Sequence, residues 1–331
     1  PFTGDILDIS HVDISVDEIE KSLSNLEMNW SLGPDALPSA FIKLCSSSLS
    51  FPLKLIFTRS LKSGVFPALW KLADIVPIHK SGSLNLVQNY RGICILPTMA
   101  KVFESLITNV LSRLTKNVII DKQHGFMAGR STSTNLLEFT QYLIDNVELG
   151  YDVHCVYTDI KKAFDRVNIS KLIIKLKCMG ISDPLLSWIQ SYLTGRKQRV
   201  KTSNIKSRLI DVSSGVPQGS HLGPLLFILF MNDVKSAFQD CRFLLFADDV
   251  KIFYRITSIL DSIKLQNELN SFVNWCRSND FELNKSKCKL VRFSRKRLMM
   301  RQSYFIDVDE LSTVEQINDL GVTFSNFLLF N

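Results

Sequence analysis

The chain has 331 residues, 46% hydrophobic and 21% charged, which is enough apolar material for one large domain or two to three subdomains and too much for a disordered segment. Its formal charge of +7 and pI near 9.0 favour a polyanionic partner, because lysine and arginine gain from releasing the counterions condensed on nucleic acid. No apolar run reaches the roughly 18 residues of a membrane span, and no basic-apolar-small leader opens the chain. A soluble, intracellular protein without a membrane partner is therefore expected. The start at Pro1 without Met reads as a fragment of something longer.

Seven cysteines (Cys45, Cys94, Cys155, Cys178, Cys241, Cys276 and Cys288) show no Cys-x-x-Cys spacing and lie mostly in apolar runs, so reduced packing thiols are expected. In chain order, Ser15-Val-Asp-Glu18 has the form of a capping box ahead of a helix with Ile19, Leu23 and Leu26 on one face. Gly33-Pro-Asp35 and Pro38 break the pattern. A second helical stretch then runs from Ala40 to Leu61, interrupted at Pro52 and ending near Gly64. Trp70 to Pro77 reads as a strand, Lys80-Ser-Gly-Ser83 as a turn and Asn89 to Leu96 as the return strand. Lys80 and Arg91 then stand either on a solvated hairpin face or against a phosphate.

Val102, Phe103, Leu106, Ile107, Val110 and Leu114 form one apolar stripe of a core helix. The loop Gln123 to Thr132 carries two glycines, an arginine and hydroxyls, a composition that suits backbone approach to phosphate but is common in loops generally. Ser131 or Thr132 is expected to cap the next helix, which has Leu136, Leu137, Tyr142, Leu143 and Val147 on its apolar positions. Val153 to Ile160 reads as a strand with Asp159 near its end. Two helices follow, Lys171 to Gly180 and Asp183 to Gly195, the second with Asp at its cap and Pro at its first position. The basic run Arg196 to Arg208 suggests a hairpin around Asn204. Ser214 to His221 is a loop leading into a buried helix over Leu222 to Met231. An amphipathic helix from about Ser258 to Arg277, a basic turn feeding a strand at Phe281 to Phe293, and a pair of short strands at Ser303 to Val308 and Gln316 to Phe324 complete the chain.

The chemistry concentrates in two acidic clusters set in apolar, β-favouring surroundings. Phe243 to Phe253 reads as a hairpin whose turn presents Asp248 and Asp249, and Tyr157 to Asp165 holds Asp159. Aspartate is common in turns, so either cluster alone is explained by a solvated turn. Two together point to a metal site. Adding a nucleotide to a polynucleotide end uses two Mg²⁺ ions about 4 Å apart, each of which takes one or two carboxylates and completes its shell with water and phosphate oxygens. Bound metal would relieve the repulsion among the three acids.

The order of Asp159-Ile-Lys-Lys-Ala-Phe164, Gly215-Val-Pro-Gln-Gly-Ser220, Phe246-Ala-Asp-Asp249 and Leu283-Asn-Lys-Ser-Lys287 resembles the reverse transcriptases of non-LTR, LINE-type retrotransposons, in particular the jockey-like elements. The likeness covers nearly the whole chain. Gly33-Pro-Asp35, Asn89-Tyr-Arg91, Gln123-His-Gly-Phe126, Gly129-Arg-Ser-Thr132 and Leu320-Gly-Val322 are similar to further family segments. One such motif is weak; this many in the family's order are not.

The resemblance implies an α+β right-hand polymerase fold. An N-terminal helical extension and the start of the fingers would occupy 1–66, fingers 67–150, a palm with an antiparallel sheet 151–300, and a primer-grip-like segment with the truncated start of a thumb 301–331. It implies an RNA-directed DNA polymerase that takes an RNA template, a DNA primer or target, and dNTPs. Two Mg²⁺ ions, or Mn²⁺ in their place, would be held by Asp159, Asp248 and Asp249, with the Ile160 carbonyl as a further ligand. Phe164 matches a steric gate whose ring excludes a ribose 2′-hydroxyl, which is discrimination by shape. Lys80 and Arg91 match triphosphate-binding residues, and their charge-assisted contacts suit that role. Gln218 and Gly219 match a loop against nucleotide and template, and Lys287 a proton donor to pyrophosphate. Asp165 matches no ligand position and reads as a structural partner.

Gly92, Met127 and Cys288 depart from residues frequent in the family without removing a catalytic group. An endonuclease domain would precede Pro1, and most of the thumb would follow Phe324. Localisation as a ribonucleoprotein in cytoplasm and nucleus follows from the resemblance alone. The competing expectations are an inactive or domesticated remnant that binds RNA as a structural module, and an RNA-dependent RNA polymerase or palm-type cyclase. The bulky Phe164 speaks against an RNA product.

Overall fold

The computed structural model describes residues 7–202, 205–296 and 300–327. The chain forms two compact units, each assembled from two separated stretches: Pro1–Val118 with Val167–Phe230, and Ile119–Arg166 with Met231–Asn331.

Helix α1 (Val16–Ser24) starts where its capping box predicts. Ser15 Oγ accepts from the Glu18 amide at 3.2 Å, and the Glu18 carboxylate accepts from the Ser15 amide at 2.8 Å, so two orphan donors of the first turn are satisfied. Helices α2 (Ser39–Leu44) and α3 (Ser46–Ser63) follow, and α3 ends at Gly64, whose φ of 67° is the left-handed cap that only glycine adopts without strain. The break expected at Pro52 falls instead at Cys45, whose φ/ψ of −98°/15° leave the helix. Pro52 is accommodated inside α3 on an exposed face, where the carbonyl left without its amide partner can reach water.

Strands β1 (Leu72–His79) and β2 (Tyr90–Ile95) form the expected hairpin, in register from Asp74–Ile95 to His79–Tyr90. Helix α4 (Thr98–Thr115) buries Phe103, Leu106 and Ile107 as its stripe predicts, but Leu111 lies in the core while Leu114 stays exposed. The second unit then receives α5 (Thr132–Val147), β3 (Asp152–Thr158) and the short α6 (Ala163–Arg166). The first unit is completed by α7 (Ile169–Cys178), α8 (Leu185–Leu193), β4 (Arg196–Thr202), β5 (Ile205–Lys206), β6 (Ile210–Val212) and α9 (Leu222–Met231). Helix α8 begins two residues after Asp183, whose carboxylate still accepts from the Ser187 amide at 3.0 Å. The turn expected at Asn204 lies outside the described residues, but Thr202 pairs with Ile205 on either side of it.

The first unit's sheet runs β2-β1-β4-β5 with β6 beside β4, and β1 and β4 are parallel, so it is mixed. An aromatic core joins the unit's helices: Phe57 of α3 and Phe103 of α4 stack with centroids 4.1 Å apart, and Phe66 meets Trp188 and Tyr192 of α8 edge-on. Two cations of the basic run belong to this interior. Arg196 is buried, and Arg199 Nε donates to Asp74 at 2.8 Å, so neither is spare charge for a polyanion.

The second unit adds β7 (Arg242–Phe246), β8 (Asp249–Ile256), α10 (Ile259–Ser278), β9 (Lys289–Phe293), β10 (Phe305–Ile306), β11 (Asp309–Glu310), β12 (Ser312–Thr313), β13 (Gln316–Asp319) and β14 (Val322–Ser325). Its main sheet has the order β12-β9-β3-β8-β7 and is antiparallel except for the two-residue edge strand β12, which is parallel to β9. Phe139 of α5 packs one face against Cys155, Leu244, Phe253, Val291 and Phe293. Phe272 of α10 joins Phe238 and Phe243 on the other face. The two terminal segments expected as short strands each form a hairpin, β10-β11 and β13-β14. Each contains its own tight turn, with Asp307 and Leu320 at positive φ, and a local return closes a short loop. The architecture is α+β. All seven cysteines are free, and among the described residues no helix is long and apolar enough to cross a membrane.

Candidate active site

In the second unit, strand register brings the acids together. Thr158 pairs with Val250, and one step further Asp159 leaves β3 across from Asp249 at the start of β8. Asp249 itself pairs with Phe246, so Ala247 and Asp248 alone make the β7-β8 turn. Ala247 takes the left-handed conformation at φ 56° although it carries a Cβ. Phe126, Lys162, Asp280, Asp307 and Leu320 of this unit share that region, Asp307 and Leu320 in the tight turns of the two terminal hairpins.

One buried side chain supports the acidic turn. Gln123, 1% exposed, accepts through Oε1 from the Ala247 amide at 2.9 Å and from the Gly125 amide at 2.8 Å, and donates through Nε2 to the Ala247 carbonyl at 3.3 Å. A Cβ on Gly125 would stand 2.4 Å from the Ala247 nitrogen, so this approach needs glycine. The backbone of the same loop covers the edge of β7: His124 donates to the Leu245 carbonyl, Leu245 donates to the Lys122 carbonyl, and buried Asn135 donates to the Leu245 carbonyl as well. Arg130 of this loop donates to the carbonyls of Ile120 and Gln123. The loop thus acts here as a brace for the acids.

The segment before β9 orders the residues after Asp159. Asn284 donates to the Asp159 carbonyl at 2.7 Å, Ile160 bridges Leu283, and Lys161 donates to the Glu282 carbonyl. This places Lys287 Nζ 3.5 Å from Asp159 Oδ2. Ile160 is buried, and Phe164 is half-buried on α6. A groove of about 400 Å³ runs past Asp159, Asp249, Lys251, Lys287, Asp319 and Leu320. Lys251 and Asp319, which sequence reading missed, form a buried ion pair in its wall, and the Lys251 ammonium also lies 4.6 Å from the centre of the Phe139 ring. No motif marks either residue; only the proximity of the β13-β14 hairpin to β8 pairs them.

The crowding has an electrostatic consequence. Burial pushes the Asp249 carboxyl up to about 6, and repulsion from Asp248, Asp159 and Asp319 adds to it. Among the described residues, no group of three or more His, Cys, Asp or Glu side chains forms a ready ion cage. The donor set nevertheless fits a hard divalent cation: the available ligands are oxygens, one or two carboxylates per Mg²⁺ suffice, and a cation would relieve the repulsion that adds to the upward shift of Asp249.

The first unit carries the other four residues singled out from sequence. Lys80 follows β1 and donates its amide to the Asn89 carbonyl at 2.8 Å, and Arg91 is exposed on β2. The Gln218 carbonyl accepts from the Cys94 amide at 2.9 Å, and a Cβ on Gly219 (φ 101°) would meet the Cys94 carbonyl at 2.9 Å, so the loop docks on the strand that bears Arg91. Beneath it, fully buried Glu104 accepts from the His221 amide at 3.1 Å beside Tyr192 and Arg196. Burial raises the Glu104 carboxyl to about 7, against the Arg196 charge and the amide bonds that lower it. An acid whose folded-state value lies above its unfolded one stabilises the fold fully below about pH 4.5 and loses that contribution as pH climbs to about 7. Glu104→Gln is therefore expected to flatten the fall in stability across that window by about 3 kcal/mol. Urea unfolding at a series of pH values tests this; a slope identical to the parent's would assign the titration elsewhere.

Residues 78–324 match the family described as reverse transcriptase (RNA-dependent DNA polymerase), and the chain belongs to that family. It is 30% identical over 295 residues to the RNA-directed DNA polymerase from mobile element jockey of Drosophila melanogaster, covering 86% of this chain and 32% of the relative. It is also 30% identical over 329 residues to the probable RNA-directed DNA polymerase from transposon BS of the same species (96% and 36%) and 31% identical over 288 residues to that from transposon X-element (85% and 32%). The kinship to non-LTR, LINE-type elements of the jockey kind that the motif order implied is thus shown. The chain spans about a third of the length of these relatives.

Proposed function

We propose that this chain is the polymerising part of an RNA-directed DNA polymerase from a non-LTR retrotransposon, extending a DNA primer on an RNA template with dNTPs. The observation that carries the reading is the convergence of Asp159, Asp248 and Asp249 at the ends of neighbouring antiparallel strands, with mutual repulsion adding to the upward shift of Asp249. In this reading 151–300 is the palm, with β3, β7, β8 and β9 of the second unit's sheet carrying the acids. The fingers occupy 67–150 after an N-terminal extension over 1–66, and 301–331 forms a primer-grip-like segment and the start of a thumb.

Asp159, Asp248 and Asp249, with the Ile160 carbonyl, would hold two Mg²⁺ ions, or Mn²⁺ in their place. Bound there, the ions would lower the pKa of the primer 3′-hydroxyl and steady the triphosphate leaving group. Lys287, whose ammonium lies beside Asp159, would give a proton to departing pyrophosphate. Lys80 and Arg91, on a solvent-facing hairpin, hold the triphosphate by charge-assisted hydrogen bonds. Gln218 and Gly219 present a backbone held close to β2 toward nucleotide and template, and Phe164 closes the sugar pocket to a 2′-hydroxyl. The protein works as an intracellular ribonucleoprotein between cytoplasm and nucleus.

Incorporation of dTMP on oligo(dT)-primed poly(A) with Mg²⁺, run beside Asp248→Ala, tests this. Incorporation is expected from the parent chain and not from the variant. Incorporation that survives Asp248→Ala would remove Asp248 from the catalytic site, and none from the folded parent would favour a remnant that only binds RNA.

A further inference from the structure

Phe126 is an odd residue for its position. Its backbone lies in the left-handed region at φ 57°, where a bulky side chain is strained, and its ring is 57% exposed. Neither backbone preference nor burial accounts for a phenylalanine there, and glycine would fit the conformation better. The ring meets that of Phe164: the centroids lie 6.0 Å apart with the planes at 80°, the edge-to-face arrangement aromatic pairs favour. Its position is imposed from the acidic turn. Gly125, the preceding residue, is held against Ala247 by the Gln123 amide, and that brace fixes the backbone on which Phe126 stands.

We propose that Phe126 is a specificity-determining positioning residue, whose ring backs that of Phe164 and limits how far the sugar gate can yield to a ribonucleotide. The inference rests on the reading of Phe164 as the gate. Phe164 sits on the four-residue helix α6, entered through strained Lys162. A ring anchored to the acid-bearing hairpin ties the gate to the catalytic corner.

The test measures UTP against dTTP use on primed poly(A), as the ratio of kcat/KM values, in the parent and in Phe126→Ala, Phe126→Tyr, Phe164→Val and the Phe126→Ala/Phe164→Val double variant. Phe126→Ala is expected to raise relative UTP use by about 3–10-fold, the factor set by one aromatic pair. Phe126→Tyr, which restores the ring, should return the ratio to the parent's. Phe164→Val should raise it further, and the double variant should equal Phe164→Val, because with the gate gone its backing has nothing to hold. A shift in Phe164→Val without one in Phe126→Ala overturns the inference and leaves the gate standing. So does a shift that Phe126→Tyr fails to reverse, since the loop and not the ring would then be responsible. No shift in Phe164→Val, or no discrimination in the parent, removes the gate reading itself and this inference with it. Thermal melts of each variant show that the ratios come from folded protein, and Phe126→Leu, which keeps bulk at the exposed site, replaces the alanine variant if that one does not fold.

Discussion

Asp159→Asn is expected to lower primer extension by about 10²–10³-fold or more, the scale on which a single preorganised electrostatic group contributes to a transition state, while leaving the fold intact. The carboxylate leaves β3 across from Asp249, at the end of the sheet where the β7-β8 turn presents Asp248 and Asp249, and asparagine keeps its shape while removing its charge. The Asp159 backbone carbonyl, which accepts from Asn284, is untouched by the change, so the turn that carries Ile160 and Phe164 stays ordered. Removing one negative charge also eases the repulsion on Asp249. The melting temperature without metal should therefore hold or rise, and the thermal shift produced by added Mg²⁺ should shrink. Steady-state extension kinetics and melts with and without Mg²⁺ separate the two effects. A variant that keeps near-parental kcat, or one that loses activity only because it melts, would sink the assignment of Asp159.

Lys251→Met is expected to destabilise the protein by about 3–5 kcal/mol, the cost of leaving one member of a buried ion pair alone. Lys251 and Asp319 are both buried, and Asp319 lies close enough to Asp249 to raise that carboxyl, so without the lysine a third acid faces the groove uncompensated. The ammonium's contact with the Phe139 ring is lost in the same step. Pairing the change with Asp319→Leu should restore much of the loss, because two apolar groups in place of a buried pair are nearly neutral. Urea unfolding of both single variants and the double variant measures the coupling. A loss under about 1 kcal/mol in Lys251→Met would place the pair in solvent, at the value of a surface bridge. Because the pair joins β8 to the β13-β14 hairpin, its breakage should also loosen that hairpin, visible as faster amide exchange over residues 316–325.

The sequence by itself determined the local rules. The capping box at Ser15, the left-handed stop at Gly64, the β1-β2 and β7-β8 hairpins and the position of Asp159 at the end of β3 could be read from residue type and period, because caps, turns and alternation act over a few residues. Motif order added the family, since the spacing of short segments survives in one dimension.

The tertiary structure alone decided what depends on which buried faces meet. It set β3 between β8 and β9, which brings Asp159 to Asp249. It made the glycine-bearing loop at Gln123 to Arg130, whose composition suited backbone approach to phosphate, a brace for the acidic turn. It drew Arg196 and Arg199 out of the basic run into the first unit's interior, and it joined Lys251 to Asp319 and Phe126 to Phe164. Register between strands distant in sequence is chosen by the burial of whole faces, to which each local pattern contributes only one side. For that reason the acids were legible as a pair of clusters, while the residues that hold them in place were not.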